Sequence, residues 1–450
     1  MEPPDAVSRK SDWLPLAAAT VAVGVASGLG GMGLGLLLHF IQHLAFGYSL
    51  HSIVSPESFL EGVSAASPVR RFVVLCVCAA VAGIGWWLLY RFGRPLVSVG
   101  KTLQENGPRM PFLATIGHGL LQIVTVALGS PLGREAAPRD VGAVFAAWIS
   151  DRARLSAADR RIMIACGAGA GFAAVYNVPF GGALFTLEVL LGTFSLSALI
   201  PAIATSVIAA MVAWIGLGNV TQYSLPNLAV APSLIAWSVV AGPLFGFSAY
   251  WFVRAAGALR ARAPRDWRLL VWCAVVFPAI GALAIPFPQL LGNGKSLAQA
   301  GFDSDLGIAL AAALLLLKVA VVLGALRAGA AGGLLTPSLA LGGLLAVVLS
   351  GPWIQFWPGV PFGAFAVVGS AAFMASSMKM PVTAIALILE LTRVGYDFLF
   401  PVSLAVVGSV AVFHLCAARN TQPAWRLSHE DIPIGNESAD RGRALASHSD

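Results

Sequence analysis

Long apolar runs separated by short polar segments recur along almost the whole chain. Several runs reach the roughly 20 residues that a helix needs to cross the hydrocarbon core of a bilayer. Others, such as 162–175 and 381–392, are shorter and lie beside Gly or Pro, which predicts broken or tilted helices that end inside the protein. Such ends must line a cavity, because lipid cannot satisfy free backbone polar groups. The pattern predicts an all-α, polytopic membrane protein with a cavity at membrane depth.

Composition supports this prediction, since 58% of the 450 residues are apolar and 11% are charged, against roughly 25% charged in soluble domains. The net charge of +7 comes mainly from arginines in loops, notably 152–161 and 254–268, which is typical of cytoplasmic loops. These runs lack the regularly interleaved aromatic side chains of a nucleic-acid platform, so membrane lipid is an expected partner and nucleic acid is not. The five cysteines lack the spacing of a disulfide framework or a metal site, and no cofactor is expected.

An internal repeat organises the chain. The first half contains the segment 133–138 (GREAAP), and the second half contains 332–337 (GGLLTP). Each half then carries a second block in which a glutamate follows a proline by nine residues, at 179–188 and at 381–390. Paired segments interrupted by Gly and Pro, at corresponding places in two halves, predict a transport site where the repeats meet near mid-membrane.

The repeat also sets the predicted boundaries along the chain. These are a cytoplasmic N-terminal tail at 1–12, a first membrane half at 13–253, a basic linker at 254–268, a second membrane half at 269–420 and a polar cytoplasmic tail at 421–450. The last tail is too short for a regulatory domain, which usually needs about 50 residues or more.

Each Gly/Pro segment is typical of the start of a helix, because Pro is tolerated in the first turn. The free N–H groups and the dipole of such a start attract negative charge. Glu135 lies at one of these starts and would occupy the place that an anion prefers, which predicts a gate that blocks when charged and opens when protonated or swung out. The alternative is a first-turn glutamate that stabilises its own helix by about 0.3–1 kcal/mol.

Glu188 and Glu390 occupy matching places in the two halves. This symmetry favours a structural role, in which each carboxylate caps or hydrogen-bonds neighbouring backbone. Proton transfer by these acids is the alternative, since acids at membrane depth are costly and often functional.

Taken together, these blocks resemble the CLC family of chloride channels and transporters. The similar stretches are GREAAP at 133–138, NVPFGGALFTLE at 177–188, GGLLTPSLALG at 332–342 and MPVTAIALILE at 380–390. The resemblance implies two inverted-topology repeats, one anion pathway in each subunit of a homodimer, and cytoplasmic termini. The bias toward Arg and Ala adds an expected location in a bacterial inner membrane.

The resemblance also implies site residues. Glu135 would be the gating glutamate, and the anion ligands would be Ser98, Gly133, Arg134, Gly333, Leu334, Leu335 and Trp425. Ser98 comes from a faint match at 97–101 to an early family motif, and Trp425 stands where the family has a pore-lining tyrosine. The proton-transfer glutamate of the family's exchangers would fall at Val189, which cannot carry a proton.

These residues predict chloride transport that is channel-like or weakly coupled to protons and gated by Glu135. Two alternatives share the fold: a proton/chloride exchanger with another proton route, and a transporter that prefers fluoride or nitrate. An intramembrane enzyme is a further alternative because several acids lie in apolar runs, but the sequence offers no nucleophile-base pair or metal-ligand set. A purely structural membrane protein would not explain an acid at a Gly/Pro helix start.

Overall fold

The computed structural model describes residues 13–48, 58–105 and 107–419, and these residues are predominantly helical. The helices are α1 (Trp13–Phe46), α2 (Phe59–Ala65), α3 (Pro68–Phe92), α4 (Val99–Thr102), α5 (Phe112–Ala127), α6 (Ala136–Arg152), α7 (Ala157–Tyr176), α8 (Pro179–Phe185), α9 (Leu196–Leu217), α10 (Pro232–Ala261), α11 (Arg268–Leu283), α12 (Lys295–Phe302), α13 (Ile308–Ala328), α14 (Leu335–Phe356), α15 (Phe362–Ser377), α16 (Pro381–Thr392) and α17 (Leu399–Arg419). A π-helical segment at Thr186–Leu191 continues α8, and short 3₁₀ turns lie at Pro288–Leu290 and Tyr396–Phe398.

Seven of the helices within the described ranges are long and apolar enough to cross a membrane; they are α1, α3, α9, α10, α13, α14 and α17. Shorter apolar helices, including α5, α8 with its π-helical extension, and α16, lie between them. The prediction of an all-α, multi-pass membrane protein with broken helices is confirmed.

The two halves repeat one another in helix order, with α6 to α9 in the first half corresponding to α14 to α17 in the second. An isolated antiparallel bridge joins Gly133 and Gly333 immediately before α6 and α14. The two segments therefore run in opposite directions, as inverted-topology repeats require. Asn177 and Lys379, which each stand two residues before the proline of a second block, both adopt a left-handed backbone with φ of 55°. The repeat is thus preserved in backbone conformation as well as in spacing.

Two predicted boundaries differ in the structure. The helix α10 continues to Ala261, so the connection between the halves is 262–267 and not the whole of 254–268. Ala, Leu and Arg are strong helix formers, and they keep the basic stretch helical after the apolar run ends. Likewise α7 is a full 20 residues, longer than the apolar run 162–175. Its first turn is polar and is capped by the Ser156 hydroxyl, which accepts from the Asp159 N–H at 3.1 Å.

Carboxylates from opposite halves join α8 and α16. Glu188, in the π-helical segment, accepts hydrogen bonds from the backbone N–H groups of Val382 at 2.9 Å and Thr383 at 2.7 Å, and from the Thr383 hydroxyl at 2.6 Å. Glu390 accepts from the N–H groups of Phe180 at 2.9 Å and Gly181 at 2.6 Å. Both helices begin with proline, so these are the first N–H groups that each helix presents. Each half therefore caps a helix of the other half.

We predict that replacing both acids, Glu188→Ala with Glu390→Ala, lowers the midpoint of thermal unfolding in detergent. The change leaves the N–H groups at two helix starts without acceptors, and the net loss of each hydrogen bond costs about 0.5–1.5 kcal/mol. The control is Glu61→Ala, which removes an exposed capping bond to Ser58 within one helix. An equal midpoint in the double variant and in Glu61→Ala would show that the reciprocal caps do not hold the halves together.

Candidate functional site

The candidate site lies where the starts of α6 and α14 meet. The Gly133 N–H donates to the Gly333 carbonyl at 2.7 Å, and the Gly333 N–H donates to the Gly133 carbonyl at 2.9 Å. A Cβ atom added at either glycine would collide with the Glu135 carboxylate. Both positions therefore need glycine while the Glu135 side chain lies between them.

Glu135 directly precedes α6, and its backbone is helical with φ of −68° and ψ of −27°. Its side chain makes no capping bond to α6 and reaches α14, where the Leu335 N–H donates to the Oε1 atom at 2.6 Å. Leu335 is the first residue of α14, and Glu135 is only 7% exposed. The carboxylate thus binds the start of a helix from the other half, a place that favours negative charge.

Tyr176 provides a second contact to this carboxylate. Its hydroxyl lies 3.3 Å from the Glu135 Oε2 atom, to which it donates, and 3.1 Å from the Thr336 hydroxyl. Tyr176 is the last residue of α7 and is buried. The sequence reasoning missed this tyrosine, although it directly precedes the second block of the first half.

Arg134 supports this tyrosine. Its guanidinium lies 5.1 Å from the centroid of the Tyr176 ring, and its Nη2 atom donates to the Gln222 side-chain oxygen at 3.1 Å. The cation lies over the aromatic face, an arrangement worth about 0.5–2 kcal/mol. Arg134 is absent from the residues that line the cavity described next.

A cavity of about 180 Å³ lies beside Glu135. Its lining includes three of the other predicted ligands, Ser98, Gly333 and Leu334. Ser98 is the N-cap residue of α4, and its hydroxyl accepts from the Lys101 N–H at 3.3 Å. The structure therefore brings Ser98 to the same cavity as Glu135, and the second half contributes Gly333 and Leu334 to that cavity.

The charged residues that line this cavity include more arginines than acids. Arg260, from the last turn of α10, donates to the Gly332 carbonyl at 3.1 Å and so supports the segment that leads into α14. Arg139 forms an ion pair with Asp140 at 3.2 Å, and Arg265 lies at the end near the connection between the halves. Three arginines face two acids, Asp140 and Glu135, which gives a positive field that attracts anions.

The remaining predicted residues lie elsewhere. Val189 lies in the π-helical segment beside Glu188 and is absent from the residues that line the cavity. Glu188 and Glu390 bind the starts of α16 and α8, as described above. Trp425 lies outside the described residues.

The chain is similar in sequence and in fold to known proteins. A family model described as voltage-gated chloride channel matches residues 73–414. The chain is 27% identical over 354 residues to a voltage-gated ClC-type chloride channel ClcB of Citrobacter koseri, covering 74% of this chain and 82% of that protein. A ClcB protein of Escherichia coli is 28% identical over the same length and coverage.

Solved structures with the same fold include a slow cyanobacterial Cl⁻/H⁺ antiporter, with a TM-score of 0.78 and 18% identity, covering 97% of this chain and 99% of that chain. A CLC-type fluoride/proton antiporter has a TM-score of 0.65 and 21% identity, covering 89% of this chain and 95% of that chain. At sequence identities this low, the similarity to these structures establishes the fold and nothing more.

Proposed function

The chain belongs to the voltage-gated chloride channel family, and on that premise we propose that it carries chloride across a membrane past Glu135, which acts as the gate. The observation that supports the gate is the bond from the Leu335 N–H to the Glu135 carboxylate at 2.6 Å. A carboxylate in that position competes with a chloride ion for the same helix start. An anion therefore passes only when Glu135 is protonated or displaced.

The geometry suits conduction because α14 offers partial charges at this point. An anion held by backbone N–H groups and a helix dipole binds without a full ion pair and can leave again. Arg139, Arg260 and Arg265 lie along the cavity and raise the local concentration of anions. Ser98 lines the same cavity and is the proposed side-chain ligand on the route.

We propose that transport is channel-like or only weakly coupled to protons. Val189 stands where the exchangers of this family carry a proton-transfer glutamate, and a valine side chain has no titratable group. The rival is a proton/chloride exchanger that uses another proton route.

We also propose that the protein works as a homodimer, in the inner membrane of a bacterium. Glu188 and Glu390 are only partly buried, and Phe180 and Val382 beside them are 54% and 46% exposed. Acids at a lipid-facing surface are costly, and a second copy would cover them. Light scattering on the purified protein in detergent should give twice the mass of one chain, and the mass of a single chain would contradict the dimer.

We predict that Glu135→Gln abolishes the pH dependence of chloride flux into liposomes while the protein remains folded. Glutamine has the shape of the protonated glutamate but no proton to lose, so flux stays at its low-pH level across the range. Flux is measured with a chloride electrode between about pH 4 and pH 8, a window that brackets the ordinary titration of carboxylates. Glu61→Gln, an exposed acid in α2, is the matched control and should keep the pH profile. An unchanged profile in Glu135→Gln would remove this residue from the gate.

We predict that Tyr176→Phe moves the pH midpoint of flux upward by about one pH unit. The hydroxyl donates to the charged carboxylate, and such a bond is worth about 1.5–3 kcal/mol, where 1.36 kcal/mol corresponds to one unit. Without it the glutamate binds a proton at a higher pH and the gate opens there. Tyr396→Phe, on a side chain that is 77% exposed, is the control. A midpoint that stays in place, or falls, would contradict a role for Tyr176 in holding the gate.

A further inference from the structure

The connection between α10 and α11 forms a second pocket, of about 490 Å³, which we term the arginine pocket. Four arginines line it together with one acid and one tryptophan: Arg262, Arg265, Arg268, Arg327, Asp266 and Trp272. The single acid offsets one of the four positive charges. The pocket therefore carries a formal charge of +3 on one concave surface.

Asp266 is a weak counter-ion for these arginines. Its Oδ2 atom lies 3.8 Å from the Arg268 Nε atom, and both side chains are more than half exposed, so the pair contributes about 0–1 kcal/mol. Its Oδ1 atom accepts from the Arg268 backbone N–H at 3.1 Å, at the start of α11. The acid is thus used to cap a helix, and the other guanidinium groups are available to an external anion.

Arg327 supplies an independent indication of a ligand. This residue lies in the last turn of α13, and its guanidinium lies 4.1 Å from the centroid of the Trp272 ring. The Nη1 atom is buried and has no hydrogen-bond acceptor within the described part of the chain. A buried donor without an acceptor costs about 1–3 kcal/mol. The tryptophan holds the guanidinium in place while that donor still lacks its acceptor.

The position of the pocket indicates the chemistry of the acceptor. It lies at the end of α13 and the start of α11, beside Trp267, which is 62% exposed. Arginine and tryptophan together are typical of the membrane–water interface on the cytoplasmic side. The planar guanidinium fork matches two oxygens of a phosphate group, and several such groups converge here.

We propose that the arginine pocket binds a phosphate group, supplied by the headgroup of an anionic phospholipid in the cytoplasmic leaflet or by soluble phosphate. Loop charge that only sets membrane orientation would need neither a concave arrangement nor an arginine that is stacked on tryptophan with a buried Nη1 atom. Because Pro264 and Arg265 also line the cavity beside Glu135, substitutions here can alter flux directly. The test therefore measures binding of the phosphate group and not chloride flux, so its result does not depend on whether Glu135 is the gate.

The test is native mass spectrometry of the purified full-length protein, mixed with phosphatidylglycerol or with phosphatidylcholine of the same acyl chains. The wild type should retain phosphatidylglycerol, and Arg265→Gln with Arg327→Gln should reduce that retention by at least about tenfold, since charged hydrogen bonds are lost. A second variant, Arg262→Gln with Arg268→Gln, changes only exposed side chains and should also reduce retention. The matched control is Arg154→Gln with Arg161→Gln, which removes two exposed positive charges from the other basic stretch, at 152–161.

A second arm identifies the source of the phosphate. In lipid-free detergent, inorganic phosphate is titrated and the midpoint of thermal unfolding is recorded for the wild type and for the Arg265/Arg327 variant. A rise in the wild type alone assigns the pocket to soluble phosphate, whereas retention of phosphatidylglycerol without such a rise assigns it to lipid. The proposal is overturned if neither ligand binds, or if the Arg154/Arg161 control loses the lipid as completely as the pocket variants.

Discussion

The hydrogen bond from the Leu335 N–H to the Glu135 carboxylate, 2.6 Å long, is the interaction on which the site depends. It requires the starts of two helices from opposite halves to meet, and the paired bonds between Gly133 and Gly333 bring them together. It also requires space, which glycine provides because a Cβ at either position would strike the carboxylate. The inverted repeat, the two glycines and the position of Glu135 are therefore all needed for this one hydrogen bond.

Three carboxylates in the fold accept hydrogen bonds from the start of a helix in the other half, and they differ in the number and length of those bonds. Glu188 accepts three hydrogen bonds from the start of α16, and Glu390 accepts two backbone bonds from the start of α8. Glu135 accepts one backbone bond from α14 and a longer bond of 3.3 Å from Tyr176. Glu390 and Glu135 thus each accept two of these bonds, and the bond from Tyr176 is the longest of the four. All three acids join one half of the chain to the other, and Glu135 is the one that we propose as the gate.

Much of the fold could be predicted from the sequence, because apolar runs and paired Gly/Pro blocks are local patterns. The ends of the helices were harder to predict. The helix α10 continues beyond its apolar run because the Ala, Leu and Arg residues of the basic stretch have high helix propensity. Glu135 could be singled out because an acid rarely stands at a Gly/Pro helix start in an apolar chain.

The surroundings of Glu135 could not be predicted in the same way. Tyr176 lies 41 residues away in sequence and reaches the carboxylate only because α7 packs on α6 and ends at that level. The direction of the Arg134 side chain also depends on tertiary packing, since the Tyr176 ring and Gln222 come from other elements. The family resemblance placed Arg134 among the expected anion ligands, and that role stays a prediction.

We propose an anion pathway that is gated by Glu135 and lacks the proton-transfer glutamate at position 189. The measurement that tests it most directly is simultaneous recording of chloride and internal pH in liposomes that hold the purified protein, with a chloride gradient and no proton gradient. An uncoupled pathway predicts chloride flux with little or no movement of protons. Uphill proton movement driven by chloride would contradict it and would indicate an exchanger with a proton route that does not need an acid at position 189.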